Sequence, residues 1–248
     1  MKIFYAMLFL CFTPFASALA SDHTNLERGL PTELTDAWVT PYMNREIQGR
    51  FVWEDNEVDD SRFTIEPRLE YGFLPNWQVE VDVPYEWGEG EEDDEIKDAL
   101  IGVQYNLNQE TVLIPSFAIS ADAIFPGKGE RVDPEIGFIA SKLLGKTSFY
   151  QRLHLNAFFR HNTDDHSGAR EHLFKGVAGY DFRIGTENTV ILDYVYEHRE
   201  EKRKETRLIE VGWRRQLSPP TLVNFGVAAG IGDDSPDFRA VVGFQRSF

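Results

Sequence analysis

Strict alternation of apolar and polar residues is the feature that most limits the folds open to this chain. In residues 61–73, SRFTIEPRLEYGF, every second residue from Phe63 to Phe73 is apolar, and the residues between them are mostly charged. Successive side chains of a β-strand point to opposite faces, so a period of two predicts a strand with one apolar and one charged face. Residues 77–87 repeat the pattern, which indicates a fold built from amphipathic strands.

The same pattern recurs along the chain and predicts twelve strands. They lie near residues 45–54, 62–73, 77–87, 96–107, 112–123, 135–144, 149–160, 172–184, 189–199, 206–217, 221–231 and 238–248. Short turns such as LPN follow the even-numbered strands, and longer polar segments such as GEGEEDDE follow most odd-numbered strands. One end of the sheet is therefore expected to carry tight turns and the other end long loops.

Alternation alone fits a membrane barrel, a soluble sandwich and a lipocalin-like barrel, because each of them buries one face of its strands. Residues 45–248 provide about 17 residues per strand with its connection, which suits the tilted strands of about ten residues in a membrane barrel. Aromatic residues fall mostly near strand ends on the apolar side, as in interfacial girdles. They are Trp53, Phe73, Trp77, Tyr85, Trp87, Phe149, Phe159, Tyr180, Tyr194, Tyr196, Trp213 and Phe248. We therefore predict an all-β, transmembrane, antiparallel up-and-down β-barrel of about 12 strands, with short periplasmic turns and longer extracellular loops.

Residues 1–20 have the pattern of a secretory signal peptide. Lys2 precedes an apolar run that ends in small residues, with Ala18 and Ala20 before SDHTN. The run is shorter than the roughly 20 residues that a membrane-spanning helix needs. Its removal takes away Cys11, the single cysteine, and leaves 24 basic against 41 acidic side chains, a net charge of −17. We therefore expect no disulfide and no binding to nucleic acid, whose phosphates require a basic surface.

The signal-peptide pattern, the amphipathic strands and the final Phe248 resemble a Gram-negative outer-membrane barrel. In that class, the resemblance implies that a last strand ending in phenylalanine is an assembly signal for the barrel-assembly machinery. More narrowly, RGLPTE at 28–33, IEPRLEYGFLPNWQVEVDVPYEW at 65–87 and ALIGVQYNL at 99–107 resemble the outer-membrane transporters grouped under the phenol-degradation meta-pathway. The likeness covers nearly the whole mature chain. It implies a location in the outer membrane, contact with lipid and lipopolysaccharide, and passage of small compounds, aromatic ones among them.

The charged faces of the strands are predicted to line the barrel lumen. The candidate lining residues are Arg50, Glu66, Arg68, Glu70, Glu80, Asp82, Arg152, His154, Asp193, Glu210 and Arg214. Twelve strands give a width between the filled interior of about eight strands and the open channel of about sixteen. The leading hypothesis is a channel or transporter for a small solute, an aromatic or other organic compound, which rings of charge would select. The mixed signs leave a second hypothesis open, in which salt bridges plug a purely structural barrel.

An outer-membrane enzyme that modifies lipids is a further alternative. Catalysis would require a serine or an acid within hydrogen-bond reach of a histidine. His154 faces inward by parity, and His161, His166 and His172 crowd the fourth long loop among acidic residues. No nucleophile motif accompanies these histidines, so we expect a solvated surface loop and no catalytic residue.

Three acidic loops, at 54–60, 89–95 and 233–237, lack the DxDxDG pattern of a calcium-binding loop. We expect solvated loops, with loose divalent-ion bridging to lipopolysaccharide as the alternative, and neither a metal site nor a cofactor. Residues 21–44 have weak periodicity and two prolines. This segment either hangs in the periplasm or folds back into the lumen, where its aromatic side chains would form a partial plug.

Overall fold

The computed structural model describes residues 25–56, 60–88, 95–127, 131–145, 150–163 and 169–248. The predicted signal peptide, Phe149 and His166 lie outside these residues, as do parts of the acidic loops at 54–60 and 89–95. Among the described residues, no helix is long and apolar enough to cross a membrane.

Fourteen strands form one antiparallel sheet in the described part of the chain. They are β1 (Arg45–Asn56), β2 (Asp60–Leu74), β3 (Trp77–Asp82), β4 (Tyr85–Gly88), β5 (Glu95–Ile96), β6 (Ala99–Asn106), β7 (Ser116–Phe125), β8 (Asp133–Leu143), β9 (Gln151–His161), β10 (His172–Ile184), β11 (Asn188–His198), β12 (Glu205–Ser218), β13 (Thr221–Gly230) and β14 (Phe238–Ser247). β3 and β4 make one wall strand that is interrupted at Pro84, which has no N–H to donate to the ladder. β5 and β6 make another, interrupted at Lys97 and Asp98. Twelve strands therefore form the wall, as the alternation predicts.

The sheet closes on itself through its first and last strands. β14 pairs antiparallel with β1, from Ser247 opposite Glu46 to Phe238 opposite Asp55, and β1 pairs with β2 along its whole length. Closure gives the backbone N–H and C=O groups of the wall their partners within the ring, which a bilayer cannot provide. The prediction of a closed, all-β, antiparallel barrel of 12 strands is confirmed.

The two faces of the wall differ as the alternation predicts. Exposed positions are mostly apolar, and Ile136 and Phe138 of β8 are 53% and 54% exposed. The positions between them are buried and often polar, and Glu135 is only 7% exposed. An apolar outer face and a polar interior are the arrangement expected of a barrel surrounded by lipid.

The connections separate the two ends of the barrel. The turn end carries the short turns at 75–76, 185–187 and 219–220, together with residue 44 and Phe248, and the loop end carries the longer segments such as 231–237. At Phe248 the backbone N–H donates to the Arg45 carbonyl at 2.8 Å, and the ring is 42% exposed. Its role as an assembly signal remains a prediction.

One predicted strand starts later than the alternation suggests. β7 begins at Ser116, whereas the pattern placed its start near residue 112. Val112 and Leu113 are more than 80% exposed and lie in a tight turn closed by the N–H of Thr111 and the carbonyl of Ile114, 3.0 Å apart. A short apolar run can therefore read as a strand in sequence although its residues form an exposed turn.

Residues 25–44, here called the inner segment, contact the inner face of the wall. Leu26 and Leu34 pack in a buried apolar cluster with residues of β10, β11, β12 and β13. The backbone of Thr35 exchanges two hydrogen bonds with the side chain of Asn156 in β9, at 3.1 and 2.9 Å. These contacts place the inner segment within the ring of strands. Tyr42 lies at the turn end and is 54% exposed.

Glycines on the inner face provide the space that the inner segment fills. A Cβ atom added to Gly212 would lie 2.5 Å from the Pro31 side chain, and one added to Gly243 would lie 2.3 Å from Leu30. At Gly226 the added atom would meet the backbone oxygen of Pro31 at 2.2 Å. Glycine inside a strand marks the close approach of another backbone, so this side of the wall is shaped to the inner segment.

We predict that Gly226→Ala displaces the inner segment while the barrel still folds, because the Pro31 backbone cannot yield as a flexible side chain would. The measurement is limited trypsin digestion after Arg28, whose side chain is only 26% exposed and paired with Glu135. The variant should be cut faster than the unsubstituted protein. Gly176→Ala is the matched control, since its added Cβ meets only the Phe174 ring, at 3.2 Å. Equal protection of both variants would contradict the assigned packing.

Candidate channel lumen

A cavity of about 450 Å³, here called the vestibule, lies at the loop end above the inner segment. Its charged lining residues are Arg28, Arg50, Arg62, Glu66, Arg68, Asp82, Glu86, Lys97, Asp98, Glu135, Arg160, Lys175 and Glu197. A neighbouring cavity of about 390 Å³ shares Arg62, Arg160 and Glu197 with it. Both signs of charge are well represented, and apolar side chains such as Ile124, Phe158 and Leu173 also line the vestibule, so its surface is mixed in charge and in polarity.

Glu33 connects the inner segment to several strands at the base of the vestibule. Its carboxylate lies 2.6 Å from Lys175 Nζ, 3.5 Å from Arg239 and 3.8 Å from Arg50. Its backbone N–H donates to Glu210 at 2.7 Å. Burial raises the pKa of the Glu33 carboxyl and the three cations lower it; the cations prevail, so the pKa lies well below its usual range. Glu33 therefore stays ionised and links the inner segment to β1, β10 and β14.

A ladder of ion pairs crosses β1, β2 and β3 on one side of the vestibule. Arg50 contacts Glu66 at 2.7 Å, and Arg68 contacts the other oxygen of Glu66 at 3.3 Å. Arg68 Nε donates to Asp82 at 2.8 Å, and its guanidinium lies 4.0 Å from Glu70. Each side chain of the ladder meets an opposite charge from a neighbouring position, which offsets the cost of its burial.

Arg152 anchors the inner segment on the other side of the lumen. Its guanidinium makes a bidentate pair with Asp181, at 2.8 and 3.0 Å, and reaches Asp36 of the inner segment at 3.2 Å. The Trp38 ring lies 5.2 Å from the same guanidinium. Charge-assisted bidentate pairs are among the stronger polar contacts in proteins. Arg152 thus ties the wall and the inner segment together.

A serine, a histidine and an aspartate form a hydrogen-bonded chain next to Arg152. Ser141 Oγ lies 2.8 Å from His154 Nδ1, and His154 Nε2 lies 2.8 Å from Asp181 Oδ1. Hydrolases with these residues use the opposite ring nitrogens, with Nε2 toward the serine. Ser141 is fully buried and accepts a hydrogen bond from the Ala37 N–H at 3.0 Å, so the inner segment covers its hydroxyl. We assign this chain a structural role in holding the inner segment.

Asp193, Glu210 and Arg214 lie on the inner faces of β11 and β12. Asp193 and Glu210 are paired in register across these strands. Arg214 donates to the Asn25 carbonyl at the start of the inner segment and to Gln245 of β14 at 2.7 Å. All three predicted residues are buried, and two of them border the inner segment directly.

Three buried carboxylates meet near the turn end. Glu27 of the inner segment, Glu46 of β1 and Glu70 of β2 each place an oxygen within 4.8 Å of the others. Ser247 and Gln245 donate to Glu46, the former at 2.7 Å. Burial, with further repulsion from neighbouring carboxylates, raises the pKa of the Glu27 carboxyl to about 8. Glu27 is therefore mostly protonated at neutral pH.

The eleven residues predicted to line the lumen all lie on the inner side of the wall. Nine are buried, while Arg50 and Glu80 are half-buried. Four of the eleven, Arg50, Glu66, Arg68 and Asp82, line the vestibule, and the role of all eleven in solute passage remains a prediction. Sequence reasoning missed Glu27, Glu33 and Asp36 as partners of the lining. The alternation of apolar and polar residues predicts which strand side chains face inward, and the inner segment has no such alternation.

Comparisons with known proteins address the fold. No family model matches the chain, and no curated protein matches it. Among solved structures, an outer membrane channel from Pseudomonas putida F1 is similar, with a TM-score of 0.61 and 12% identity over 86% of this chain and 98% of that chain. The NanC porin is similar with a TM-score of 0.59 and 8% identity over 82% and 98% of the two chains. At these identities the likeness shows the fold alone, and that fold is the closed barrel of outer-membrane channels.

Proposed function

We propose that the protein is a channel or transporter for a small polar organic solute in the outer membrane of a Gram-negative bacterium. The observation that carries the proposal is the charged vestibule of about 450 Å³ at the loop end. We expect this end, which carries the longer loops, to face the outside of the cell. Its mixed lining favours solutes that carry charge or several hydrogen-bonding groups. The resemblance of residues 65–87 and 99–107 to meta-pathway transporters favours an aromatic or related compound. Lipid and lipopolysaccharide would surround the apolar outer face.

We further propose that the inner segment sets the narrowest part of the path. It contacts β1, β10, β12 and β14 through Glu33, and β9 through Thr35. It also reaches β3 through Thr40, whose N–H donates to Gln78 at 2.7 Å. Contacts on so many sides of the ring support a constriction below the vestibule.

A filled barrel with a purely structural role is the second candidate. The ion pairs between the inner segment and the wall favour it, since the Arg152 and Asp36 side chains are almost completely buried. The two candidates differ in whether water and ions can pass between the inner segment and the wall.

We expect the refolded mature protein to form small, discrete conductance steps in a planar bilayer. Deletion of residues 21–40 should raise the conductance severalfold, because it removes the proposed constriction and leaves the strands intact. Heat-modifiable migration on gels would show that both proteins are folded. Folded but silent protein in both cases would contradict the channel and support the structural barrel.

Two substitutions of opposite charge should shift ion selectivity in opposite directions. Arg68→Ala leaves Glu66 and Asp82 without their shared cation, so cation selectivity should rise. Asp82→Ala leaves the Arg68 guanidinium with one carboxylate fewer, so anion selectivity should rise. Reversal potentials in a KCl gradient measure both effects. Unchanged selectivity in two conducting variants would show that ions bypass this ladder.

Conductance should increase as the pH rises through about 8. The pKa of Glu27 is raised from 4.5 to about 8 in the folded state. Its contribution to holding the inner segment is therefore complete below pH 4.5 and is lost progressively up to about pH 8. Glu27→Gln keeps a neutral side chain at every pH and should abolish this part of the dependence. An identical pH profile in that variant would exclude Glu27 as the titrating group.

A further inference from the structure

A facing pair of histidines, which the proposed channel does not use, lies at the rim of the barrel among the residues that the structure describes. His161 ends β9 and His172 begins β10, and they are opposite each other in the antiparallel register. Both side chains point outward at the loop end, next to the outward-facing Phe159 and Phe174, whose ring centroids are 5.1 Å apart. Glu171 adjoins them, with a side chain that is 73% exposed.

The distance between the two imidazoles suits a shared metal ion. His161 Nδ1 and His172 Nδ1 are 3.4 Å apart. Hydrogen bonds from nitrogen donors are most often about 2.9–3.0 Å long, so a direct bond at this separation is weak. Two zinc–nitrogen bonds of about 2.0–2.1 Å at a tetrahedral angle separate their nitrogens by about 3.3–3.4 Å. The pair therefore already has the spacing of two ligands on one tetrahedral ion.

Glu171 provides the third ligand atom. One atom from each of the three side chains lies within 4.8 Å of the other two. The carboxylate lies 3.8 Å from His172 Nε2, and its side chain is 73% exposed, so joining the two Nδ1 atoms on one ion requires it to turn toward them. A backbone hydrogen bond of 2.9 Å from the Asn162 N–H to the Glu171 carbonyl holds the end of β9 beside the start of β10.

We propose that His161, His172 and Glu171 form a binding site for a divalent transition-metal ion of the Zn²⁺ type. Imidazole nitrogens select such ions over Ca²⁺ and Mg²⁺, which prefer oxygen ligands. Two histidines and one glutamate leave the fourth position to water, as in known zinc sites. The bound ion links β9 to β10 at the rim, outside the lumen, so the site is independent of the proposed channel.

The test is calorimetric titration of ZnCl₂ into the refolded, tag-free barrel after treatment with a chelator, with excess Ca²⁺ present to occupy sites made of carboxylates alone. The unsubstituted protein should bind one Zn²⁺ per chain with saturation. His161→Ala combined with His172→Ala should weaken this binding by more than about tenfold, and Glu171→Gln should weaken it less. Glu187→Gln is the matched control for Glu171→Gln, because Glu187 is likewise exposed but lies in the 185–187 turn at the opposite end of the barrel. It should leave the affinity unchanged.

Heat-modifiable migration would verify that each variant is folded, and the exposure of the three side chains makes a folding defect unexpected. Absence of saturable Zn²⁺ binding would overturn the proposal. Equal binding in the double variant and the unsubstituted protein would also overturn it, as would an equal loss in Glu187→Gln. The channel recordings do not enter this test, so the site and the channel can fail separately.

Discussion

The interior of this barrel depends on pairing charges that have been removed from water. Isolated buried charges cost several kcal/mol each, and close opposite charges with good geometry are needed to offset that cost. The inner segment supplies two of the required anions, since Glu33 meets Lys175 and Asp36 meets Arg152. Wall and inner segment are therefore joined by ion pairs, and loss of Glu33 or Asp36 would leave Lys175 with Glu197 alone or Arg152 with Asp181 alone as its anionic partner.

The inner wall is divided into two regions with different physical roles. β12, β13 and β14 present glycines against Pro31 and Leu30, and an apolar cluster around Leu34 extends this packing surface toward β10 and β11. β1, β2 and β3 present the ion-pair ladder instead, and this side borders the vestibule. The inner segment thus packs by shape on β12, β13 and β14, while the adjoining strands across the seam, β1, β2 and β3, keep a charged surface beside open space.

Sequence alone predicts the wall well, because the alternation of apolar and polar residues can be read from neighbouring positions. The outward position of Ile136 and the inward position of Glu135 follow from alternation, and so does the count of twelve wall strands. The start of β7 was misplaced because an exposed turn at Val112 also looks apolar. The residues that pair with the inward-facing side chains could not be predicted. Glu33 and Asp36 contact Lys175 and Arg152, which lie more than 100 positions away in the chain. Glycines such as Gly226 carried a weak signal, since a glycine inside a strand has meaning only once its neighbour is known.

The position of the inner segment on the inner face of the wall has a consequence for how the ring is held closed. Leu30 packs on Gly243 of β14, and Gly29 accepts a hydrogen bond from Arg50 of β1, so the inner segment spans the seam between the first and last strands. Partners at that seam, such as Glu46 and Ser247, are 201 positions apart in the chain. Because the inner segment is joined directly to β1 and packs against β14, its contacts add to the strand pairing that holds these distant parts of the chain together in the closed ring.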